Sequence, residues 1–156
     1  MSIDRDPGVF YGTCLSQEAI EAMMVTIPRK AEMVPCYDKH SGERLPDEEN
    51  VINDEYQALV IDGKRYGCTS QADGYLDEGI DALAKKVGLY ASVMQEDRGD
   101  VYGYVIGMGC GGISGKTMTK RICAVDVKLK KLPKLIKALN GPCPPAAKVH
   151  AFMILS

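Results

Sequence analysis

The sequence predicts an α+β fold, with two or three helices packed on a mainly antiparallel sheet of about six strands. Three stretches carry that reading. YQALVI and KRYGC flank Asp62-Gly63, a dipeptide that tolerates the positive φ angles of a tight hairpin turn. LYASVMQE and VYGYVIGMG flank DRGD and form a second, more apolar hairpin. Between the two hairpins, Leu76, Ile80, Leu83 and Val87 recur at helical spacing before Gly88.

The other elements follow in chain order. GVFYGTC, residues 8–14, reads as a short strand. Ser16 then caps a helix whose apolar positions Ile20, Met23, Met24 and Ile27 share one face, with Pro28 as its stop. Residues 35–54 are polar and rich in turn formers, which predicts a long flexible loop. After the first hairpin, Ser70 and Asp73 have the spacing of a reciprocal cap, so the second helix is expected to begin there. Asp73, Asp77 and Asp81 would form a column on its outer face, read as solvated, with Asp81 paired to Lys85 one turn on. RICAVDVKL alternates, with Cys123, Val125, Val127 and Leu129 on one side, and is predicted to be a strand. Pro133 suits the first turn of a third helix through Leu135, Ile136 and Leu139, closed by Asn140-Gly141. KVHAFMILS supplies the last strand.

One domain spanning residues 1–156 is expected, because a chain of this length with 46% apolar residues can bury a single core. No apolar run is long enough for a bilayer, and MSIDRDPG lacks the basic-then-apolar order of an export signal, so a cytoplasmic protein without membrane contact is expected. The RGD at residues 98–100 then reads as a turn and not as an adhesion signal. The six cysteines form no CxxC pair and read as reduced, mostly buried small hydrophobes. Cys36, Asp38 and His40 supply at most half a metal site, so no metal centre is predicted, and no cofactor is specified.

Net charge is −2, but it is unevenly spread. Residues 1–109 hold 10 Lys and Arg against 20 Asp and Glu, whereas residues 110–156 hold 9 against 1. The expectation is that the halves neutralise each other within the fold, with an anionic partner as the other way to satisfy the basic half. Phe152 is the basic segment's one aromatic residue, which argues against a nucleic-acid platform built on stacked bases.

GMGCGGISGKTMTKR, residues 107–121, concentrates the chemistry. Successive glycines let backbone N–H groups turn into one concavity, and a lysine and a hydroxyl add charge and a further donor for phosphate oxygen. Cys110–Thr117, CGGISGKT, resembles two phosphate-binding signatures and satisfies neither. The nucleotide P-loop, GxxxxGK[ST], needs glycine where Cys110 stands and a helix directly after Thr117. The cysteine phosphatase loop, C-x5-R-[ST], needs an arginine fork where Lys116 stands, again followed by a helix.

The expected function is therefore ligand binding: a phosphorylated small molecule or nucleotide gripped by Gly109, Gly111, Gly112, Ser114, Gly115, Lys116 and Thr117, with Lys116 as the main charge. The alternative is a non-catalytic interaction or inhibitor protein, including a homo-oligomer, suggested by the polarised charge and the 35–54 segment. A third reading makes Cys110 the catalytic nucleophile of a hydrolase or phosphatase, with His40 or His150 as base.

Overall fold

The structure is a computed structural model that describes residues 8–95, 101–110 and 115–152. It is α+β. In chain order the elements are β1 (Gly8–Ser16), α1 (Gln17–Met23), β2 (Val25–Ile27), β3 (Lys30–Tyr37), β4 (Arg44–Asn53), β5 (Tyr56–Ile61), β6 (Lys64–Gly67), β7 (Gly74–Tyr75), α2 (Leu76–Lys86), β8 (Tyr90–Gln95), β9 (Val101–Gly109), α3 (Gly115–Leu129), α4 (Leu132–Ala138) and β10 (Lys148–Phe152).

The strands do not join into the single sheet of about six that the sequence predicts. They divide into a four-stranded sheet ordered β10-β1-β9-β8, a second ordered β2-β5-β6-β7, and the pair β3-β4. The pairings are antiparallel except for the short parallel β6–β7 contact. The split follows from α2, which buries Leu76, Gly79, Ile80, Leu83 and Ala84. It packs against β5 and β6 of one sheet and β8 and β9 of the other, so it stands between the two hairpins. Leu15, Tyr104 and Ile106 from the first sheet meet Leu59, Ile61 and Tyr66 from the second in one core, closed by Ile20, Val125, Leu132 and Ile136 of the helices.

Both predicted hairpins form. Asp62 and Gly63 have φ of 52° and 78°, the two positive values of a primed turn, and Leu59, Val60 and Ile61 pair with Tyr66, Arg65 and Lys64. The second hairpin pairs Tyr90 with Gly107 and Ala91 with Ile106; its DRGD connection lies outside the described residues. At the centre of the first sheet Gly12 faces Gly107 in register. A Cβ on Gly107 would stand 1.9 Å from the Tyr11 carbonyl oxygen, so the two strands meet at a distance that side chains would forbid.

Four local expectations are corrected. Ser16 does cap α1, its Oγ accepting from the Ala19 N–H at 3.2 Å, but the helix ends at Met23. The branched residues of Val25–Ile27 extend instead as β2 and pair with Ala58, Gln57 and Tyr56. The second helix starts at Leu76, not near Ser70, because Asp73 bonds the Arg65 backbone in both directions, at 2.8 and 2.9 Å, and draws Gly74–Tyr75 into β7. Residues 35–54 are not a loop: β3 and β4 form an antiparallel ribbon with its turn at Asp38–Ser41. Finally, RICAVDVKL is helical. Its buried side chains are Val125 and Leu129, four apart, while Val127 is 61% exposed. Those residues also fit a 3.6-residue period, and that period prevails. α4 forms as expected, with Pro133 in its first turn, Asn140 at φ 61°, and Gly141 N–H donating to Ile136 O at 2.9 Å. Among the described residues, no helix is long and apolar enough to cross a membrane.

Candidate anion site at the start of helix α3

Strand β9 is central in its sheet and delivers Gly109 and Cys110 to one sheet end. The ladder continues one step past the strand, since the Cys110 N–H donates to Val9 O at 2.9 Å. Cys110 is 2% exposed. Residues Gly111, Gly112 and Ser114 of the predicted site lie outside the described residues. The chain is next described at Gly115, where α3 begins with Lys116 and Thr117 in its first turn.

Two contacts hold this helix against the strands. The Tyr11 hydroxyl donates to Asp126 Oδ1 at 2.6 Å, tying the middle of α3 to β1. Arg121 Nη1 lies 3.4 Å from Gly109 O, which brings the second turn of α3 back over the end of β9. Gly109 and Cys110 thus end the strand on one side of this connection and Gly115, Lys116 and Thr117 open the helix on the other, with Arg121 reaching back to Gly109 and Lys120 exposed beside it in sequence. Lys120 and Arg121 were not foreseen, because residues four and five beyond Lys116 share its end of the molecule only on a helix. Thr119 Oγ1 donates back to Gly115 O at 3.0 Å within the first turn.

The glycines divide by role. Gly103 and Gly107 are needed by the sheet, since a Cβ on either would fall under 3 Å from a carbonyl of β1. Gly109 and Gly115 meet no atom of the described residues within 4 Å of such a Cβ, so packing among those residues does not account for them. They are the two that bracket the junction.

Electrostatics point the same way. The first turn of α3 contains no acidic residue, although the aligned peptide dipoles there favour negative charge. Residues 115–138 hold eight Lys and Arg against Asp126 alone, a net charge of +7. The expected internal neutralisation is not made by ion pairs: the four salt bridges among the described residues join Arg29–Glu49, Arg44–Asp47, Lys85–Asp81 and Lys86–Asp62, all within the acidic half. The asymmetry is thus left standing because each acidic group in these salt bridges takes a cation from its own half of the chain.

The remaining sequence candidates are accounted for individually. Asp38 accepts from the backbone N–H groups of His40 and Ser41 at 2.7 and 2.9 Å, so its carboxylate is spent on the ribbon turn. Those bonds, Ser41 first, hold it below the usual carboxylate range. Among the described residues no three His, Cys, Asp or Glu are placed to hold a metal ion. His150 is buried, with Nε2 3.3 Å from Gly12 O. The aspartate column is divided among partners: Asp73 with Arg65, Asp77 accepting from the Tyr104 hydroxyl, and Asp81 with Lys85 at 2.8 Å. A cleft of about 470 Å³ lies over Ile61, Lys64, Tyr66 and Lys85, but its cations are engaged, Lys85 and Lys86 by aspartates and Lys64 by the Tyr66 ring.

No family model matches the chain, and neither curated proteins nor solved structures give a significant match.

Proposed function

We propose that the protein binds a phosphorylated small molecule or a nucleotide, non-covalently, at the junction of β9 and α3. The observation that carries this reading is the helix itself: fifteen residues of α-helix, with Lys116 and Thr117 in the first turn, follow a glycine-rich stretch that leaves a strand. That order of strand, glycine-rich connection and helix is what both phosphate signatures require, because the helix start presents unpaired N–H groups and a positive dipole end. Lys116 would carry most of the charge, with Lys120 and Arg121 one turn on. The antiparallel sheet and Cys110 in place of the first glycine depart from the nucleotide P-loop, so the support is for its anion-cradling physics and not for its hydrolysis chemistry. Burial of Cys110 favours this over the reading as a thiol nucleophile, which needs access to substrate.

The test is calorimetric titration and thermal shift at low ionic strength with ATP, ADP, a sugar phosphate and inorganic phosphate. Binding of at least one, weakened tenfold or more by Lys116→Ala and by added salt, is expected. Absence of binding across the panel, or full affinity in Lys116→Ala, overturns the proposal. Turnover of a phosphate ester that disappears in Cys110→Ser would replace it with the hydrolase reading.

A further inference from the structure

The β3–β4 ribbon is the part of the fold that none of the other described elements covers. Its ten-residue strand β4 spans about 33 Å, and among the described residues no other element packs substantially against either strand. Met33 and Tyr37 are 62% and 58% exposed, and Leu45, Val51 and Ile52 also face solvent. A two-stranded ribbon with both faces in water is marginal by itself, and five large apolar side chains on it are a further cost. Such an element gains by lying against another surface.

Charge selects the surface. The ribbon, Lys30–Asn53, carries six acidic residues against three basic ones, with Asp47, Glu48 and Glu49 adjacent on β4. Asp47 and Glu49 already pair with Arg44 and Arg29, which leaves the ribbon net acidic with Glu48 outside those pairs; the opposite excess is the basic segment of α3 and α4, in which Lys130, Lys131, Lys134 and Lys137 are exposed and without ion pairs among the described residues. The ribbon's acidic strand and these lysines are complementary, yet within one chain no salt bridge among the described residues joins them. We infer that two copies of the chain associate by exchanging these ribbons, the acidic β4 of each lying along the lysines at and beyond the start of α4 of the other. A reciprocal exchange is self-complementary and closes at two copies. The lysines involved lie roughly 20 Å along α3 from Lys116, so this inference stands apart from the phosphate site.

The experiment uses sedimentation velocity on the full chain and two charge-reversed variants, Asp47→Lys/Glu48→Lys and Lys131→Glu/Lys134→Glu. All four positions are exposed, and circular dichroism confirms that each variant is folded. The wild type is expected to be a dimer at about 50 mM salt that dissociates at about 500 mM. Each variant alone is expected to be monomeric, because the ribbon turns net positive in the first and the four-lysine patch loses its net charge in the second. Their equimolar mixture is expected to form a dimer again, since the unaltered ribbon of one meets the unaltered lysines of the other and the two altered patches meet with their local signs exchanged. A wild type that stays monomeric at low salt from roughly 1 μM to 1 mM overturns the inference, and the ribbon then serves a different protein. Variants that remain dimeric, or a mixture that stays monomeric, overturn it equally.

Discussion

Gly107→Ala should be the most damaging glycine-to-alanine change among the described residues. An alanine Cβ there would stand 1.9 Å from Tyr11 O, 2.7 Å from Gly12 Cα and 2.7 Å from the Tyr11 carbonyl carbon. All three are backbone atoms of the neighbouring strand, so no rotamer change relieves the contact. Ordinary carbon contacts lie near 3.5–4.0 Å, and β1 and β9 would have to part locally by about 1.5 Å. That gap breaks two or three ladder hydrogen bonds at about 1 kcal/mol each and loosens the buried Val105 and Ile106 beside them. A loss of about 2–4 kcal/mol results, equivalent to a melting temperature roughly 5–15 °C lower for a chain of this size. Gly109→Ala, two residues on, meets no atom within 4 Å and should change stability by about 0.5 kcal/mol or less. Equilibrium urea denaturation of the two variants, followed by circular dichroism, measures both. A Gly107→Ala protein within about 0.5 kcal/mol of wild type, or two variants equally affected, would refute the argument that these glycines serve different purposes.

Gly63→Ala has free space around the new methyl but a φ of 78°, so it should cost about 1–2 kcal/mol through conformation alone, read from the urea midpoint. Val127→Ala should leave stability within about 0.5 kcal/mol of wild type, because the side chain is solvent-facing on a helix; a loss of about 2 kcal/mol would restore the strand reading. The hydrogen bond to Asp126, and then burial, push the Tyr11 hydroxyl up to about 12, while burial and then Asp77 raise Tyr104. Both groups hold their protons more firmly folded than unfolded, so their contribution is complete below pH 10 and declines as pH rises from 10 through 12. Urea midpoints should therefore fall over that interval, and the fall should be smaller in Tyr11→Phe.

Legibility in the sequence tracked how much local chemistry each element contained. Asp62-Gly63 sits between two strands whose register it sets, and Pro133 with Asn140-Gly141 brackets α4, so both were readable from a few residues. In α3, Cys123, Val125, Val127 and Leu129 satisfy a period of two, while Ile122, Val125 and Leu129 satisfy one near 3.6; only the packing of Val125 and Leu129 against the core decides. The misreading of that stretch also concealed the helix on which the candidate site depends, and with it Lys120 and Arg121. RLPDEENVIN gave no strand signal because neither of its faces is buried, so no alternation had to be written into it. Its pairing with β3 is a property of the ribbon, which a one-dimensional pattern does not record.

Strand β1, the first of the described elements, occupies an interior position of its sheet, with Phe10 opposite Gly109 on one side and His150 on the other. Its flanks thus come from the distant end of the polypeptide. At a ribosomal pace of about 5–20 residues per second, an interval of roughly 7–30 s separates the emergence of Phe10 from that of His150. Until β9 emerges, about 100 residues behind it, β1 has neither lateral neighbour, and until β10 follows one of its edges stays open to chaperones or to the wrong edge of another molecule. Assembly of this sheet is complete only once β10 has emerged, about 140 residues after β1.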